Sequence, residues 1–192
     1  MISANKASLP QLGLEGSGSM DKMSLEEMLA KYGFEQFKWI SGNDLVIRQW
    51  VRLKCQFTCP DYGTKAMCGP NMPSIEECER FFSEYSLVAV IHKEVQGDDS
   101  VVEEYNESLL ELEREVFLSG HYKAMALMMG GCHHCRECTG RIETCRFKEK
   151  SRPNPEAMGV DVFTTVGNIG LPIEVLTDYQ QPQNRYGFLL VK

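Results

Sequence analysis

Leu87-Val-Ala-Val-Ile91, a turn at Gly97-Asp98-Asp99, and the run Lys123-Ala-Met-Ala-Leu-Met-Met129 frame the part of this chain whose reading decides the fold. The first segment is a short apolar run of the kind that makes a buried strand. Beyond the turn, Val102, Tyr105, Leu109, Leu112 and Val116 recur alternately at three and four residues, which places them on one face of a long helix ending at Gly120. The apolar run from Lys123 reads as a second strand, broken by Gly130 and Gly131. Strand, helix and strand in that order predict a right-handed crossover between parallel strands.

Upstream, Ser24 and Glu27 form a capping box, and Leu25, Met28, Leu29 and Tyr32 make the stripe of a short helix stopped at Gly33. Leu45 to Leu53, rich in Val, Ile and Trp, predicts a strand that runs straight into Cys55. A second capping box, Ser74 with Glu77, opens a helix whose apolar face carries Ile75, Cys78, Phe81, Phe82 and Tyr85. Downstream, Asn154 caps a helix with Pro155 in its first turn, Gly167-Asn-Ile-Gly170 stops a helix, and Tyr186 to Val191 closes the fold as a strand. The alternation predicts an α/β fold, with α+β as the alternative: a small, mostly parallel sheet, flanking helices, and two cysteine-rich loops at one edge. Met1 to Ser19, ending in Gly16-Ser-Gly-Ser19, reads as a leader foreign to the fold, and residues 20–192 as a single cysteine-rich domain.

A chain of 192 residues buries enough surface to fold without cross-links, so its eight cysteines need another role. No export signal and no membrane-length apolar run is present, which points to a reducing, cytoplasmic setting where thiols persist as ligands. The net charge of −7 argues against general affinity for nucleic acid or for anionic membranes. Locally the balance reverses: between Cys132 and Arg152, Arg136, Arg141, Arg146, Lys148, Lys150 and Arg152 outnumber Glu137, Glu143 and Glu149. A cationic loop of this kind offsets the charge of a thiolate-ligated cluster, although a solvated surface loop has the same composition.

The cysteines fall into two groups. Cys132-x2-Cys135-x2-Cys138-x6-Cys145 resembles the ferredoxin type of run, in which closely spaced thiolates wrap the corners of an iron–sulfur cube. Structural zinc more often takes cysteines two by two across a longer spacer. Cys55-x3-Cys59-x8-Cys68 is looser, but Pro60, Gly63, Gly69, Pro70 and Pro73 fix it as an irregular loop. Cys78 lies on a helical apolar face and reads as core. His133 and His134 are adjacent and cannot easily face one metal together, so they read as solvent or supporting groups. Met125, Met128 and Met129 read as core filling. Seven candidate ligands remain: Cys55, Cys59, Cys68, Cys132, Cys135, Cys138 and Cys145. No phosphate loop, dinucleotide fingerprint or nucleophile elbow accompanies them.

The segments Trp50-Val-Arg-Leu-Lys-Cys55, Cys59-Pro-Asp-Tyr-Gly63, Cys68-Gly-Pro70, Gly131 to Cys138, Cys145-Arg-Phe147, Arg152-Pro153 and Glu156-Ala-Met-Gly-Val-Asp161 resemble a prokaryotic family of predicted metal-binding proteins, domain of unknown function 2284. The resemblance implies the same seven cysteines as ligands, leaves out Cys78, and names no particular reaction. Gly69 and Lys148 stand where the family more often has proline, which touches loop stiffness and no ligand. The leading expectation is one or two [4Fe-4S] clusters and electron transfer with a redox partner protein in anaerobic or microaerobic metabolism. An enzyme that binds substrate at the open iron of a three-cysteine cluster, and a zinc-stabilised interaction module, are the alternatives.

Overall fold

The computed structural model of the chain describes residues 17–96, 99–178 and 180–192. Residues 1–16 of the expected leader, and the turn expected at Gly97-Asp98, lie outside them. Helix α1 (Ser17–Lys31) leads into strand β1 (Phe37–Ile40), a short 3-10 turn (Gly42–Asp44) and helix α2 (Gln49–Thr58). After the first cysteine loop come α3 (Ile75–Ser83), β2 (Val88–Val95), α4 (Asp99–Leu118) and β3 (Met125–Leu127). The second cysteine loop is followed by α5 (Val162–Asn168) and β4 (Gln183–Leu190).

The expectation of a mostly parallel sheet is wrong. The four strands lie in the order β1-β2-β4-β3 and every neighbouring pair is antiparallel, so this is an α+β fold. The β2-α4-β3 crossover does return the chain in the direction it left, because β2 and β3 are each antiparallel to β4. What converts the sheet is β4, which inserts between them and pairs with β2 along its whole length, Val88 opposite Leu190 and Val95 opposite Gln183.

The first expected strand also fails. Within 45–53 only Ile47 makes a bridge, to Val160, and the chain turns at Arg48 into α2. The apolar residues there serve the core instead: Leu45 and Ile47 are buried ahead of α2, and within α2 Val51 is buried while Trp50 and Leu53 face out, a split that a helix can make with the same residue types. Ser74 caps α3 as expected, its Oγ accepting from the N–H of Glu77 at 3.2 Å and its own N–H donating to Glu77 Oε2 at 2.8 Å. Ser24 does not cap α1, which runs through it from Ser17, across the expected leader boundary. Asn154 caps a single turn by accepting from Ala157 N at 2.7 Å, and the helix proper waits for Asp161, whose Oδ1 accepts from Thr164 N at 3.0 Å.

The sheet is covered on both faces. Along β2, Ala89 and Ile91 join Leu25 and Leu29 of α1 and Leu109, Leu112 and Val116 of α4. Val88 and Val90 face the other way, toward Phe82 of α3, Val162 and Val166 of α5, and Met158 and Val160. Among the described residues no helix is long and apolar enough to cross a membrane.

Candidate metal centre

The backbone brings the two cysteine groups together by a route the sequence does not advertise. The second loop is closed at its neck, where Met128 N donates to Pro153 O at 2.9 Å. The chain leaving that neck pairs with the chain entering α2: Arg48 N donates to Gly159 O at 2.9 Å and Asp161 N to Val46 O at 2.7 Å. Gly159 makes the approach with φ +82°, and a Cβ on it would stand 2.5 Å from Ile75 Cδ1, so this position needs glycine on both counts. Helix α2 therefore starts beside the exit of the second loop and carries Cys55 in its last turns, with Cys59 at its C-cap.

The loops then touch directly. Ala66 N donates to Cys138 Sγ at 3.2 Å, and Asn71 Nδ2 donates to Gly140 O at 2.9 Å and to Lys65 O at 3.2 Å. Cys132, Cys135, Cys138 and Cys145 line one small cavity with Ala66, Met67 and Ser151. Buried Ser151 links two of these thiols, its Oγ lying 3.6 Å from Cys132 Sγ and 3.5 Å from Cys145 Sγ. Nothing in the sequence singled out Ser151, Ala66 or Asn71, since a serine in a charged loop and a backbone N–H carry no motif.

Electrostatics separates the thiols. At Cys138 burial opposes ionisation, but the N–H groups of Gly140, Ala66 and Thr139 and the charge of Lys65 outweigh it and hold the thiol below its ordinary value. Cys68 goes the other way, to about 11, chiefly through burial and then through Asp61, Cys59 and Cys55. Burial also raises Cys55, aided by Cys59 and Glu156 and opposed by Arg52 and Lys54. Cys59 thus raises both Cys55 and Cys68, and Cys55 raises Cys68. Lys65, from the first loop, acts on both Cys138 and Cys68. Of the expected cationic loop, Arg152 is committed to Glu113 at 2.6 Å and Lys150 to Glu107 at 3.8 Å, both carboxylates of α4.

The remaining candidates lie elsewhere. Cys78 is 0% exposed, with its sulfur 3.9 Å from Arg52 Nη2. His134 Nε2 donates to Lys150 O at 2.9 Å and its Nδ1 stands 3.3 Å from Glu107, while His133 lines a separate depression against α4. Met128 and Met129 are buried. Among the described residues no three Cys, His, Asp or Glu side chains converge closely enough to chelate a single ion as they stand. Even so, the donor set fits a soft metal: four sulfurs share one cavity, and N–H and O–H groups are directed at the sulfurs, as thiolate ligands require.

A family model described as a predicted metal-binding protein (DUF2284) matches residues 38–191. The chain belongs to that family. The match runs from within β1 to Val191, just after β4, and contains all eight cysteines. DUF2284 membership makes this a predicted metal-binding protein, and no curated protein and no solved structure matches the chain.

Proposed function

We propose that the chain binds one or two [4Fe-4S] clusters in a reducing, cytoplasmic compartment and passes electrons to or from a partner enzyme. The observation that carries this reading is the shared cavity of Cys132, Cys135, Cys138 and Cys145, with the Ala66 N–H of the other loop on Cys138. Four thiols around one space, three of them at two-residue gaps along the chain, suit a body with several corners better than one tetrahedral ion. Cys55, Cys59 and Cys68 would hold the second cluster. Such clusters supply one-electron transfer, and N–H groups on the sulfurs, Ser151 and Lys65 would set their potential.

A second reading takes the three-thiol group as the site of an enzyme in which one iron is left free for substrate. It is favoured by Glu156, which reaches Cys55 electrostatically and lines a wide cleft. Anaerobic purification with iron, acid-labile sulfide and zinc analysis and electron paramagnetic resonance tests both. Iron and sulfide are expected together, with a brown absorbance that air bleaches. Stoichiometric zinc without sulfide would overturn the proposal and leave a zinc-stabilised module.

A further inference from the structure

A cavity of about 730 Å³ lies between the start of β4, the 154–163 segment, the 173–178 segment and Trp50 of α2. That is the size of a small-molecule site, for which roughly 300–1,000 Å³ is usual. Gly130, just ahead of Cys132, and Lys54, next to Cys55, both line it, so the cleft lies against both cysteine groups.

Several of its polar groups are donors whose acceptor ends are already used. Arg185 at the start of β4 gives Nη2 to Gln183 Oε1 at 2.5 Å, but its Nε is buried with no hydrogen-bond partner. It takes part in none of the ion pairs among the described residues. A desolvated guanidinium donor without an acceptor is costly, and such a group calls for an ion, a water or a ligand. Asn154 has its Oδ1 engaged by Ala157 N, which turns its amide NH₂ outward as a donor, and Gln183 is turned the same way by Arg185. Between these donors the wall is apolar, with buried Val162 and partly buried Ile173, and Trp50 and Phe163 stand at the rim 49% and 47% exposed.

We infer that this cleft binds a small organic monocarboxylate with an apolar body, its carboxylate on the flat fork of Arg185 and its body between Val162, Ile173 and the two aromatic rings. A planar guanidinium fork matches a carboxylate bidentately. The lining carries Lys54 and Arg185 against Glu156, Glu174 and Asp178, so a dianionic phosphate would meet more repulsion there than a monoanion held at Arg185.

The test is calorimetric titration of anaerobically purified protein with benzoate, phenylacetate and 3-phenylpropanoate, each beside its neutral amide. At least one acid is expected to bind saturably, its amide not to bind, and Arg185→Gln to weaken binding by about tenfold or more, the worth of a lost charge-assisted pair. Val175→Trp, at a rim position 77% exposed, narrows the cleft without entering the core and serves if the Arg185 variant fails to fold; it too is expected to weaken binding. Absence of saturable binding by all three acids, equal binding of acid and amide, or undiminished binding by a folded variant would overturn the inference. Metal analysis of the same sample keeps the two proposals apart, since a zinc-loaded protein that binds the acid upholds this one alone.

Discussion

Cys138 and Cys68 sit on facing loops, yet their thiols are pushed in opposite directions, and each shift has its own consequence for the metal-free protein. Cys68 has a folded-state value of about 11 against an ordinary 9.0. The fold thus favours the neutral thiol: its contribution is complete below pH 9.0 and is lost as pH rises toward 11. Denaturant midpoints of the metal-free protein are expected to fall over that window, and Cys68→Ser to flatten the fall. Cys138, whose thiol three N–H groups and Lys65 hold below its ordinary value, is the readier ligand. Cys138→Ala is expected to abolish a cluster and to lower stability by several kcal/mol, because ligation free energy is folding free energy in such sites. Cys78→Ala, which opens only a small gap in the core, should cost about 1 kcal/mol and leave metal content unchanged; loss of metal in that variant would add Cys78 to the ligands.

At the scale of elements, the least exposed of the ion pairs that fasten the second cysteine loop to α4 is Arg152–Glu113. Arg152 meets Glu113 through Nε at 2.9 Å and Nη2 at 2.6 Å, and Glu113 Oε2 also accepts from Ala126 N in β3 at 2.6 Å. With side chains 20% and 12% exposed, removing one partner strands the other, and Arg152→Ala is expected to cost about 3 kcal/mol in chemical denaturation. A larger loss is expected for Gly42→Ala, because a Cβ there would lie 1.9 Å from Phe82 O, in backbone that cannot move aside. Elements whose signals are local were legible from the sequence. The Ser74 capping box, the apolar spacing of α4 and the closing strand at Tyr186 all rest on residues within a few positions of each other. Elements decided by distant partners were not. Ile47 and Val51 have the β-branched look of a strand, but the chain at Arg48 bonds to Gly159 and winds into α2. Phe37–Ile40 is too short to announce itself before it pairs with β2. The direction of the β2-α4-β3 return was correctly expected, and the insertion of β4 between those strands, with β1 antiparallel at the edge of β2, made the sheet antiparallel. The seven cysteines were visible as two groups, whereas Ser151, Asn71, Glu156 and Arg185 matter through neighbours far away in sequence.

For the whole molecule, the two cysteine loops form one unit because the Asn71 amide bridges them, donating to Lys65 O in its own loop and to Gly140 O in the other. Asn71→Ala is therefore expected to lower the metal content of both groups together, and a variant that empties one group while leaving the other full would show them to be separate sites. The position of β4 has a consequence of a different kind. On the ribosome, β1, β2, β3 and both cysteine loops are made before the strand that joins β2 to β3. Until β4 emerges, a nascent chain holds at most the β1–β2 pair, with open strand edges that attract other chains, and its thiols stand free of the enclosing sheet. A message cut short before Gln183 would thus yield a product with all seven candidate ligand cysteines and no strand to join β2 to β3, a substrate for chaperones and proteases rather than a weakened version of the protein.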